Sequence, residues 1–99
     1  MKITIEVPDE HINGALAAPR ARCWASAASW DPEAKQGHVV DSLDDGTIYE
    51  IDEGSLRAGL IQMASKDPDV FARVLSGSYD AVTGDALLQF MAFGELRYG

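Results

Sequence analysis

Lysine and arginine are missing from one stretch of this chain: none occurs between Lys35 and Arg57. The same stretch holds Asp41, Asp44, Asp45, Glu50, Asp52 and Glu53. Residues 1–35, 36–56 and 57–99 carry formal charges of −1, −6 and −1, within a total of −8. A field so concentrated attracts a cationic partner, such as a basic protein groove or a metal ion, and repels nucleic acid. Cysteine is scarce as well. Cys23 stands alone, which excludes an intrachain disulfide and fits a reducing compartment. No apolar run is long enough to span a membrane, and the acidic balance disfavours anionic lipid. No leader pattern is visible, because Pro8–Glu10 interrupts the short opening run with charge, so a cytoplasmic protein is expected. A glycine-rich phosphate loop is also lacking: Gly37, Gly46, Gly54 and Gly59 each suit a separate turn or helix position.

What is present fits one small globular domain, residues 1–99, with 46% hydrophobic and 24% charged residues. Met1–Val7 alternates, with Ile3, Ile5 and Val7 on one face, and predicts a half-buried strand. Pro8 suits a helix start, with Asp9 and Glu10 in the first turn and Ile12, Ala15 and Leu16 as its buried stripe. Pro19 ends that helix. Residues 20–37 have no clear period; a strand over roughly 22–29 and a turn at Asp31–Pro32 are expected. His38–Leu43, Asp44–Gly46 and Thr47–Ile51 read as a β-hairpin, because Asp-Gly supplies the positive φ of a tight turn. Asp52 predicts the cap of a helix over 53–65, and Asp67–Pro68 the start of the next, which Gly77 closes. Thr83 is expected to cap a last helix, with Leu87, Leu88, Phe90 and Met91 inward and Gly94 as its stop. The fold class is α+β: a small antiparallel sheet of three or four strands with three or four helices packed on one face.

The spacing Asp41, Asp45, Gly46, Asp52 matches parts of a calcium loop. The third position is Leu43, and the last ligand is Asp rather than Glu, so a hairpin turn explains the same residues better. No metal or cofactor is expected. Cys23 with His11 or His38 could supply a thiol nucleophile, but a lone cysteine beside a tryptophan reads more simply as a buried apolar residue. Trp24 and Trp30 are candidates for interface anchors or for core. The six acids have two readings. They are a solvated face that keeps a small protein soluble, or they imitate nucleic acid. Carboxylates two residues apart on a strand repeat at about 7 Å, close to the spacing of neighbouring phosphates, and would compete for a Lys/Arg groove.

One run goes further. Thr83-Gly84-Asp85, Leu88-Gln89, Phe93-Gly94-Glu95 and Tyr98-Gly99 resemble the ending of a group of small proteins carried by bacteriophages, prophages and plasmids. That group also tends to show a Val7-Pro8-Asp9 step and a segment like Gly59-Leu60-Ile61-Gln62-Met63-Ala64. The stretch Ala15–Ser29 departs from the group, which is rich in glycine and aromatics there. The resemblance implies a mobile-element accessory protein in a bacterial host cell. In style such proteins are similar to anti-CRISPR proteins, which bind and occlude a host complex without catalysis.

The expectation is therefore a non-enzymatic inhibitor. Asp41, Asp44, Asp45, Glu50, Asp52 and Glu53 would meet the basic surface of a host nucleic-acid-binding complex, with Trp30 as an apolar anchor. The alternative is a small structural or regulatory homodimer paired through the Ala/Ser/Trp segment. A Cys23-dependent enzyme is a third class.

Overall fold

The computed structural model describes residues 5–17, 24–78 and 80–98. Along the chain run α1 (Asp9–Ala17), β1 (Ala25–Asp31), β2 (Gln36–Asp41), β3 (Thr47–Asp52), α2 (Glu53–Lys66), α3 (Pro68–Ser76) and α4 (Ala81–Phe93). The strands form an antiparallel sheet in the order β1-β2-β3. This is the expected α+β arrangement. Ile5–Val7 is not in a strand, and Met1–Thr4 lie outside the described residues. Alternation selects a face but supplies no partner for the backbone hydrogen bonds. Here only Val7 packs on the core, while Ile5 is exposed.

Local signals set most element ends. The Pro8 carbonyl accepts the amides of His11 and Ile12 and so opens α1. In the β2–β3 connection Asp45 and Gly46 adopt φ of +58° and +74°, and the Gly46 amide returns to the Asp41 carbonyl at 3.0 Å. Asp52 and Asp67 cap α2 and α3 through their side chains, and Pro68 takes the first turn of α3. Gly77 and Gly94 end α3 and α4 in the left-handed conformation. The cap of α4 differs from expectation. Asp80, not Thr83, is the N-cap: its Oδ1 accepts the Thr83 amide at 2.9 Å and the Thr83 hydroxyl at 3.0 Å. Thr83 sits buried three residues into the helix. Cys23 and Pro19 lie outside the described residues.

The core centres on α4, which is buried nearly all round from Thr83 to Met91. Around it lie Ile12 and Ala15 of α1, Leu56 and Met63 of α2, Val74 of α3, and Val39 and Ile51 of the sheet. Helix α2 approaches closely at Gly59, where a Cβ would stand 3.0 Å from backbone atoms of Phe90 and Met91. Any side chain there pushes the two helices apart.

The register sorts the sheet into two faces. Rows Ala25–Asp41–Thr47, Ala28–Val39–Tyr49 and Trp30–Gly37–Ile51 turn towards the helices. Rows Ala27–Val40–Ile48, Ser29–His38–Glu50 and Asp31–Gln36–Asp52 turn away.

Candidate binding surface

The six acids of the central segment separate into one and five. Asp41 has no exposed surface. Its Oδ2 accepts the Tyr98 hydroxyl at 2.7 Å, its Oδ1 accepts the Leu43 amide at 3.0 Å, and the Arg97 guanidinium stands 3.7 Å away. It is therefore unavailable to a partner, contrary to expectation. The cause is a contact across most of the fold, between β2 and the segment after α4. That hydrogen bond is also the main reason the Tyr98 hydroxyl has a raised pKa.

One buried side chain makes several of the bonds that hold this last segment in place. Gln89, buried on α4, accepts the amides of Arg97 and Tyr98 at 2.9 Å each through Oε1. Its Nε2 donates to the Tyr98 carbonyl and to Asp85, both at 3.1 Å. Asp85 also accepts the indole N–H of Trp24 at 2.8 Å, and Trp24 stacks on Tyr98 with centroids 5.6 Å apart. Arg97 lies over the Phe93 ring at 4.0 Å. Thr83, Asp85, Gln89, Phe93, Gly94 and Tyr98 thus all have roles in folding. So do Gly59 and Met63, at the contact of α2 with α4 and in the core. The residues that carry the resemblance of this ending are thus explained by the fold of this chain.

The other five acids are exposed and follow β3 from end to end. Asp44 and Asp45 sit in the hairpin loop, Glu50 lies on the outward face, and Asp52 and Glu53 stand where β3 gives way to α2. The six residues of β3 span about 17 Å, so these carboxylates make a line rather than a compact patch. Ion pairs among the described residues join Lys35 to Asp9, Arg73 to Asp80 and Arg97 to Asp41. None involves the line. Asp52 is held below the usual carboxylate range, chiefly by the Ser55 amide and then by the Ser55 hydroxyl, and stays charged. Asp44 accepts a 3.3 Å hydrogen bond from the Tyr49 hydroxyl. The calcium-loop spacing also falls to the register. Asp41 pairs with Thr47 at one end of the β2–β3 ladder, and Asp52 pairs with Gln36 at the other.

Trp30 does not join this surface either. It lies on the helix side, half-buried against the core, and its indole N–H is buried without an acceptor. Sequence reasoning passed over two other side chains. Ile48 is 61% exposed on the outward face, and Leu43 is 60% exposed in the hairpin loop. The signal for Ile48 was present: it alternates in phase with Glu50 and Asp52, against Tyr49 and Ile51.

Two further arrangements bear on chemistry. Ser29, His38 and Glu50 form a cross-strand row, with the Ser29 hydroxyl 2.9 Å from His38 Nδ1. Nucleophilic catalysis would also need donors aimed at a developing oxyanion in a water-poor site, whereas Ser29 and Glu50 are exposed on an open sheet face. Next to the Ile5–Asp9 segment, a groove of about 880 Å³ has Leu56, Leu60 and Phe71 along it. Lys35 and Arg57 stand on its walls together with Glu6, Asp9 and Glu53, so the groove carries charges of both signs. His11, the remaining histidine, meets the Leu75 carbonyl through Nδ1 at 3.1 Å. No helix among the described residues is long and apolar enough to cross a membrane.

Compared with protein families, curated proteins and solved structures, the chain matches none.

Proposed function

We propose that this chain is a mobile-element accessory protein of the anti-CRISPR kind. It acts in the cytoplasm of a bacterial host and covers the Lys/Arg surface on which a host complex receives nucleic acid. The observation that carries this reading is the line of five exposed carboxylates along β3, none of them in an ion pair among the described residues. A chain that needed only solubility could scatter its excess of acids; this one places five of them, with no base between, on one strand and its two ends. The protein acts by occlusion, without cofactor or catalysis. Direct nucleic-acid binding is opposed by the same charge.

The test is capture of the tagged protein from a nuclease-treated bacterial lysate that contains CRISPR surveillance complexes, followed by titration of any complex recovered. Joint reversal of Asp44 and Asp45 to lysine should weaken binding and flatten its salt dependence. Unchanged affinity after that reversal would remove the acidic line from the interface.

One observation favours a second reading, a regulatory homodimer. Strand β1 is an edge of the sheet among the described residues, and its Ala-Ser sequence carries no lysine or proline to blunt strand addition. Light scattering at micromolar concentration separates the readings, since a monomer leaves β1 unpaired.

A further inference from the structure

We infer that the occupant is a basic protein segment carrying apolar side chains, and that it docks on the outward face of the sheet rather than on the carboxylates alone. This rests on the acidic-line reading above and names where its partner sits. Three facts combine. Ala27, Val40 and Ile48 form one apolar row across all three strands, and no helix covers it, since Ala27 and Ile48 are exposed. Leu43 adds a second large exposed side chain at the hairpin end of the same strands. Carboxylates in no ion pair among the described residues border that row: Asp44 and Asp45 beyond the hairpin end, Glu50 in the next row, and Asp52 in the row after.

An exposed isoleucine alone is ordinary. An apolar row bounded by carboxylates has the layout of a recognition surface, with a desolvated centre and a polar rim. Exposed ion pairs add little affinity but steer encounter and reject partners of the wrong sign. The apolar row must then supply most of the affinity, and the carboxylates the choice of partner. Charge complementarity excludes acidic segments, and a second copy of this chain brings the same row and the same carboxylates into opposition. The fitting partner has lysine or arginine interleaved with leucine-like side chains.

Two synthetic peptides of equal length and charge test this, one alternating lysine with leucine and the other lysine with serine. Fluorescence anisotropy should show the leucine peptide binding about tenfold tighter, a difference expected from burial of a few apolar side chains. Ile48→Ser with Leu43→Ser should erase that advantage, while reversal of Asp44 and Asp45 should weaken both peptides alike. Both sets of positions are exposed, and far-UV circular dichroism checks that the variants fold. Equal binding of the two peptides, with full sensitivity to charge reversal, would overturn the docking face and leave the acidic line standing. Insensitivity of both peptides to charge reversal would overturn both. A change in the sedimentation of the free protein on Ile48→Ser would assign the row to a second copy and overturn the inference.

Discussion

The two faces of the β2–β3 hairpin are made from the same few residues and have opposite fates. On the inner face Asp41 is sealed by Tyr98, Leu43 and Arg97, and Val39 and Ile51 fill the core. On the outer face Glu50 and Ile48 are exposed, and Asp52, also exposed, caps α2 through Ser55. Burial forces a carboxylate to find partners, because an unpaired buried charge is costly. Exposure imposes no such demand, so an unneutralised acid on the surface is free to serve something outside the chain. The inner acid reports on stability; of the outer ones, Asp52 also caps α2, and the proposed interface would draw on them all.

Substitution within β3 tests that division most severely. Ile51→Ala should cost about 3 kcal/mol through lost burial and the cavity it leaves. Ile48→Ala, three residues earlier, should stay within about 0.5 kcal/mol. Urea unfolding of both variants reads the difference, and equal losses would mean that the outer face is packed too. The acids supply the next contrast. Asp41→Ala should cost about 2 kcal/mol, since it strands the Tyr98 hydroxyl and removes the partner of Arg97. Asp44→Ala should fall near zero in the same assay.

Alkaline pH probes the inner face without disturbing the outer one. The bond to Asp41, first among the causes, lifts the Tyr98 hydroxyl above its ordinary pKa of 10.0. A group raised on folding contributes stability that is complete below its unfolded pKa and is lost as pH rises through the folded one. Urea midpoints should therefore fall above about pH 10, and Tyr98→Phe should remove that part of the decline. A decline identical in the variant would show that Tyr98 is not its source. A small effect is also expected at Trp30. Phenylalanine there gives up some buried area but removes an indole N–H that has no acceptor, and the two should leave stability within about 1 kcal/mol.

Legibility followed range. Asp45-Gly46, Asp52, Asp67-Pro68, Gly77 and Gly94 act on their own neighbours, and each does what its chemistry indicates. Thr83 failed as a cap because Asp80, three residues earlier, is an equally good one, and the start of α4 decides between them. Of the opening alternation only Ile5–Val7 is described, and it lies outside a strand; a strand requires a neighbour as well as a pattern. Asp41 was misplaced for a reason no local reading repairs: its partner Tyr98 is 57 residues away. Trp30 needed the register, which sets it opposite Gly37 on the helix side. Of the candidate surface, the charges were plain in the sequence. Their arrangement as a line beside an apolar row was not, because that depends on which strand lies at the edge.

The bond between Asp41 and Tyr98 also sets an order of events during synthesis. The hairpin leaves the ribosome long before the segment that seals it. Until Tyr98 emerges, Asp41 has no hydroxyl to bind, and Gln89 has nothing to clamp. A nascent chain paused before that point carries a hairpin whose inner carboxylate still lacks its closing hydroxyl.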